Sequence, residues 1–296
     1  MAIDQPDKRY WPEYDAWLPE QPAEDIRIIV AASNERCKVR TSGPEDDRVY
    51  TWRSSFRAFT LTSTTFTKRQ LYPYEWDLNL YGKMIADPFS RARLVNERNA
   101  LRFIAENTKI PVPRVLDWTD EGGRFGCLTV EAIKGAQNAD DLYDDLTEEK
   151  DKQRLLDNIR TFVADVVQPE LNRLRSNRLG QLDGGLFVSP RISCHDDRSY
   201  WRPKSYTTER FVYCHNDLGK QNFMIDPQSL EVRALIDWEY SGFFPKEAER
   251  YIFNDENQVD RWNEGDGRRV IEMLDAPGER AFSFFQDFCG KWAEAD

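Results

Sequence analysis

At 296 residues the chain is long enough for one large domain or two lobes around a sizeable core. A charged fraction of 31%, a mean hydropathy of -0.72 and no apolar run near the ~20 residues of a bilayer span argue against a membrane protein, and the opening MAIDQPDKRYWPEYD shows no secretory signal. The net charge of -11 argues against a nucleic-acid partner, and five cysteines (37, 127, 194, 214 and 289) with no C-x-x-C pair argue against a disulfide framework or structural zinc and fit a reducing, cytoplasmic compartment.

Residues 1–25 are rich in Pro, Trp and acid and have no clear period, so they read as an irregular extension, with the start of the first lobe following before about residue 50. Within it IRIIVAAS reads as strand or helix, and Ser42-Gly43-Pro44 as a turn. From Thr51 the dense Thr and Phe alternation predicts two antiparallel strands, the second carrying Lys68 near its end. Ser90 to Asn107 places Leu94, Leu101, Ile104 and Ala105 on a helical stripe with Phe103 nearby and Glu97 on a different face. Ile110-Pro-Val-Pro113 ends that helix, because a residue before proline avoids the α region. VPRVLDW and RFGCLTVEAI then predict two more strands about a turn at 120–123, for a sheet of four or five strands ending near residue 133.

Asp140 to Leu179 reads as helical, with a wide stripe of Leu155, Leu156, Ile159, Phe162, Val163, Val166 and Val167, and with Pro169 either kinking the helix or starting another. Residues 180–205 are loop-rich, and His195 there is expected to be a surface residue. Beyond Glu239 two short helical stretches are expected. The acid runs at 45–47 and at Asp140, Asp141, Asp144 and Asp145 read as solvated faces, with steering of a cationic acceptor as the alternative.

The stretch CHNDLGKQNFMIDPQSLEVRALIDWE carries the chemistry. It holds His215, Asp217 and Asn222 as H-x-D-x-x-x-x-N, and Asp237 fifteen residues after Asn222. NFMID and EVRALID alternate as two strands about the turn Pro227-Gln228-Ser229, so Asn222 and Asp237 come to one end of a hairpin. Phosphoryl transfer needs such a set. A carboxylate, Asp217, orients a hydroxyl and accepts its proton late, while Asn222 and Asp237 offer the oxygens that Mg²⁺ prefers. Protein kinases use a loop Asp, an Asn five positions on and a later Asp on the metal. His215 reads as shaping the loop, Lys220 as a solvated loop lysine and Trp238 as packing, with Glu239 a possible member of a second Mg²⁺ shell.

HNDLGKQN…IDWE, together with TFTKRQLYPYEW and NERNALRFIAENTKIPVPRVL, resembles the aminoglycoside phosphotransferase-like family of the protein-kinase-like fold, its fungal members especially, over about residues 50–250. The resemblance implies an α+β, two-lobed fold with a small mixed-sheet N-lobe over 51–133 and a mainly helical C-lobe over 134–296. It implies that Lys68 contacts the α/β-phosphates and is held by Glu97, with Glu106 second, and that Glu131, Ala132 and Ile133 line the base pocket. The cofactors implied are ATP or GTP with Mg²⁺, and the acceptor is a small-molecule hydroxyl, with a cationic acceptor favoured by the acidic balance. No G-x-G-x-x-G precedes Lys68, so a turn at Ser54-Ser55 or Ser63-Thr64-Thr65 must cover the phosphates. No A-P-E or long Ser/Thr-bearing activation loop follows Asp237, which points away from a peptide acceptor. The alternative is an inactive pseudokinase that binds a nucleotide or a partner; the missing glycine loop favours it and the intact Asp217, Asn222 and Asp237 oppose it.

Overall fold

The computed structural model describes residues 49–78, 87, 89–121, 125–189, 203–254 and 274. The N-terminal extension with IRIIVAAS, the turn at 42–44, the acid run at 45–47, His195 and the terminal helical stretches lie outside them. Two compact units divide the chain, one of residues 1–94 and 115–132, the other of residues 95–114 and 133–296.

The first unit is built on one sheet. β1 (Tyr50–Arg53), β2 (Arg57–Leu61) and β3 (Thr65–Gln70) replace the two strands expected from Thr51 onward. Hydroxyl-closed turns make the extra break. Ser54 Oγ accepts the N–H of Phe56 and Arg57 at 3.2 and 3.1 Å, and Thr62 Oγ accepts those of Thr64 and Thr65 at 3.3 and 2.9 Å. β4 (Val115–Glu121) and β5 (Phe125–Glu131) complete the order β1-β2-β3-β5-β4. Every pairing is antiparallel.

Register decides the faces of this sheet. Trp52 stands opposite Phe59, Phe59 opposite Lys68 and Lys68 opposite Leu128, so all four share one side. Phe66 and Val130 join them, while Thr60, Thr67, Arg69 and Thr129 take the other side. This alternation suits a sheet with one solvated face. Leu128 and Val130 are buried on the apolar side, each stabilising the unit by roughly 1.5–3 kcal/mol. At its edge, burial works to raise the Glu75 carboxyl, but hydrogen bonds from Arg69 and the Tyr72 N–H outweigh it and hold the group below its ordinary range.

Helix α1 (Ser90–Asn107) spans the boundary between the units. Its buried positions are Ser90, Leu94, Asn96, Glu97, Ala100, Leu101 and Ile104, whereas Ala105 and Glu106 are exposed. The buried stripe differs from the expected one at two points: Ala100 takes the place of Ala105, and Glu97 belongs to it. Spacing explains the second correction, since Glu97 lies three residues after Leu94 and four before Leu101.

In the second unit β6 (Gln137–Asn138) leads into α2 (Ala139–Asp145), whose N-cap Asn138 accepts the Asp141 N–H at 2.9 Å. α3 (Glu149–Phe162) runs through a π turn at Val163–Val167 into α4 (Gln168–Arg173). Leu155, Ile159, Val163, Val167 and Leu171 are buried along this rod. Pro169 has no N–H to donate and its ring crowds the preceding turn, and the π turn just before it absorbs the mismatch. The helix stops at Arg173 rather than Leu179, where β7 (Arg175–Ser176) and β8 (Arg178–Leu179) follow. β9 (Lys204–Ser205) pairs with β8, and β10 (Phe211–Cys214) lies between β13 (Gly242–Phe244) and β7. β11 (Phe223–Ile225) and β12 (Val232–Leu235) form the expected hairpin, with β6 on the outer side of β11. Among the described residues no helix is long and apolar enough to cross a membrane.

Candidate active site

Three segments of the second unit meet here. The first is the loop between β10 and β11. His215 is wholly buried, its Nδ1 accepts the Asp217 N–H at 3.2 Å, and its Nε2 bonds the Ile236 carbonyl at 3.0 Å. Nδ1 is the acceptor in the first contact, so the ring proton sits on Nε2. With both nitrogens engaged, and Trp238 edge-on at 4.5 Å, this ring shapes the loop. Asn216 takes a left-handed conformation (φ 66°) and donates Nδ2 to the Tyr240 carbonyl at 3.0 Å. One carboxylate, Glu249, accepts the backbone N–H of both His215 and Asn216. Asn222 Nδ2 then donates to Asp217 twice, to its carbonyl at 2.7 Å and to Oδ2 at 3.0 Å. Between them, a Cβ at Gly219 would meet only the amide end of the flexible Gln221 side chain, which can move aside.

The second segment is the exit of the hairpin. Phe223 pairs with Leu235, and the ladder continues through the Ile236 N–H to the Asn222 carbonyl at 3.0 Å. Asn222 is therefore one residue out of register with Asp237. Asp237 itself is left-handed (φ 63°, ψ 54°), an uncommon conformation for a residue bearing a side chain, and one that clusters at functional sites. It opens the 3₁₀ turn Trp238–Tyr240, which aims Glu239 back toward it.

The third segment is α1 from Val95 onward. Asn96 Nδ2 donates to the carbonyls of Glu239 and Ser241 at 3.0 and 2.8 Å, pinning the helix to that turn. Phe103 adds ring contacts with Tyr213 at 5.1 Å and Phe243 at 6.2 Å. Glu97, 3% exposed, is thereby brought to Asp237 and Glu239, with ligand oxygens of all three carboxylates within 4.8 Å of one another. Like charges this close raise one another's cost unless a cation or proton stands among them. Hard oxygen donors in such a group fit Mg²⁺.

The structure thus brings Asp217 into hydrogen-bond contact with Asn222, and groups Asp237 with Glu97 and Glu239. Lys68 is in the first unit, 8% exposed, on the same sheet face as the stacked rings of Trp52, Phe59 and Phe66, whose centroids are 5.3–6.0 Å apart. Glu131 is the exposed last residue of β5, the Ala132 N–H bonds the Thr64 carbonyl at 3.0 Å, and the Ile133 carbonyl accepts the Ala136 N–H at 3.3 Å. Sequence reasoning missed Glu249, Asn96 and the aromatic face. Alternation within one strand pairs Phe66 with Lys68, but Trp52 and Phe59 reach that face only through the hairpin registers; nothing in a single sequence links Glu249 to residues 215 and 216.

The profile of the phosphotransferase enzyme family matches residues 83–245, more than half of the chain, including the loop, the hairpin and the three carboxylates. The chain belongs to that family. It accordingly has the protein-kinase-like α+β fold implied by its motifs. Among solved structures, the aminoglycoside phosphotransferase APH(3'')-Id from Streptomyces rimosus is 17% identical over 89% of this chain and 94% of that one, with a TM-score of 0.37. APH(4)-Ia is 11% identical over 85% and 83%, with a TM-score of 0.41. APH(2")-IIia, solved as a complex with GDP and kanamycin, is 11% identical over 90% and 83%, with a TM-score of 0.40. No curated protein matches the chain.

Proposed function

We propose that the chain transfers the γ-phosphoryl group of ATP or GTP, bound with Mg²⁺, to a hydroxyl of a small molecule. The observation that carries this reading is the Asn222 amide bonded to Asp217 Oδ2, at the start of a hairpin that returns Asp237 to a group of three carboxylates. Asp217 orients the acceptor hydroxyl and takes its proton as the new P–O bond forms and the bond from the γ-phosphorus to the β-phosphate oxygen breaks, giving a phosphate ester and a nucleoside diphosphate. Asn222 and Asp237 are assigned to the metal, with Glu239 and Glu97 completing the anionic group around it. Mg²⁺, when bound, supplies neutralisation of charge on the β- and γ-phosphate oxygens.

Lys68 is assigned to the α/β-phosphates, and the backbone of Glu131, Ala132 and Ile133 to the base. The aromatic face that Lys68 shares supports a planar ligand on that unit. An amine-bearing acceptor is favoured by the acidic balance of the chain, a net charge of -11. The test is a panel of hydroxylated amines, sugars and aminoglycosides screened for ATP and GTP consumption with Mg²⁺. Consumption that depends on one acceptor class is expected; none above background across the panel would count against transfer.

A further inference from the structure

Lys220 stands three residues after Asp217 and two before Asn222, where a solvated ammonium was expected. Its side chain is instead only 13% exposed. The ammonium lies 4.1 Å from the centroid of the Tyr143 ring and 3.6 Å from Asp140 Oδ1, both on α2. Lys152 of α3 lies 4.7 Å from the same ring, so two helices converge on Tyr143. α2 is itself fixed to the hairpin, since its cap Asn138 pairs with Met224 of β11. A lysine stem held this way loses rotamer freedom, and the ring face with a nearby carboxylate offsets that loss.

We infer that Lys220 is a positioning residue for phosphoryl transfer: through Tyr143 and Asp140 it locks the second half of the loop against α2 and so fixes Asn222 on Asp217. This rests on the catalytic assignment of Asp217 and Asn222 made above. The division of labour follows from where each tether attaches. His215, Asn216 and Glu249 hold the loop's first two residues, on the side of β10 and the 238–240 turn. Lys220 ties the turn Lys220–Asn222, the segment that ends in the Asn222 amide, to α2. Without it, that turn keeps the Asn222 N–H on the Gly219 carbonyl, a bond within the loop, and at its last residue the Ile236 N–H on the Asn222 carbonyl, which leaves residues 220 and 221 without this hold on α2. The acid face of α2 acquires a purpose as well: Asp140 is a counter-charge for Lys220 rather than simply a solvated carboxylate.

The test compares Lys220→Met, Lys220→Arg, Tyr143→Leu and the Lys220→Met/Tyr143→Leu double variant by amide hydrogen exchange over residues 218–222, thermal midpoint and steady-state kinetics. Lys220→Met is expected to speed exchange in that segment by about tenfold and to lower kcat by about tenfold, with the nucleotide KM within about twofold and the midpoint nearly unchanged. Lys220→Arg should restore most of both, because a guanidinium also stacks on the ring. Tyr143→Leu should match Lys220→Met, and the double variant should be no worse than either single one. Exchange and kcat both within about twofold of the parent in Lys220→Met would overturn the inference, as would losses that multiply in the double variant. Hydrogen exchange needs no turnover. A parent protein that shows the exchange changes yet consumes no nucleotide would therefore sink the assigned function while leaving the tether in place.

Discussion

Replacing Glu249 with glutamine tests the single carboxylate that holds the start of the catalytic loop. In the native protein it accepts the N–H of His215 and of Asn216, both buried residues. Hydrogen bonds to a charged acceptor contribute about 1.5–3 kcal/mol each. Glutamine keeps one acceptor oxygen, now neutral, and turns an NH₂ toward the other N–H, so one bond is lost and the other weakened. A cavity of about 150 Å³ borders this residue, lined also by Gln168, Leu171, Cys214, Lys246 and Tyr251. Water admitted there can take the orphaned N–H, which puts the cost at the low end, about 2–3 kcal/mol. The expected result is a thermal midpoint lower by about 4–10 °C, read by circular dichroism and tryptophan fluorescence. Turnover should fall by more than the loss of folded protein accounts for, because the displaced segment leads directly to Asp217. A midpoint within about 1 °C of the parent with turnover within about twofold would refute the reasoning.

Asp217→Asn should keep the Asn222 contact to an oxygen yet cannot take a proton, so kcat is expected to drop by about a hundredfold to ten-thousandfold while nucleotide affinity, measured by calorimetry, stays within about threefold. Unchanged kcat would remove Asp217 from the mechanism. Alkaline stability gives a second check. Burial pushes the Cys214 thiol and the Tyr213 hydroxyl above their ordinary values. The folded state then binds more protons than the unfolded one, so stability is complete below the unfolded values and declines as pH rises past about 9 for the thiol and about 10 for the phenol. Urea midpoints should fall from pH 8 to pH 10.5, and Cys214→Ala should remove the earlier part of the decline; a flat profile would contradict the burial of both groups.

Much of the fold was legible because period and punctuation agree. Ser90–Asn107 is bounded by a helical stripe and by Pro111 and Pro113, and the 223–235 hairpin by its Asp-Pro-Gln-Ser turn. What failed did so where local signals compete. Two serine- and threonine-closed turns split the Thr-rich run into three strands, since a single hydroxyl can capture two backbone N–H groups. The apolar run ending at Leu179 looked helical to its end, but from residue 175 the backbone pairs with β10 and β9. At the site, Asp217, Asn222 and Asp237 could be seen because their spacing is local. Glu97 was found for its place in the kinase pattern, yet its grouping with Asp237 and Glu239 depends on Asn96 tying α1 to the 238–241 turn. The grips of Glu249 and Lys220 join residues far apart in the chain, and one sequence gives no sign of such pairs.

Calorimetric titration of ATP and of GTP into the parent protein and into Asp237→Asn, each in Mg²⁺ and again in EDTA, tests the phosphotransfer site most directly. One of the two nucleotides should bind the parent at least about tenfold more tightly in Mg²⁺, a gain that vanishes in Asp237→Asn. Equal affinity in Mg²⁺ and EDTA, or a full Mg²⁺ gain in the variant, would contradict the assignment of Asp237 and its neighbours to a metal–nucleotide complex.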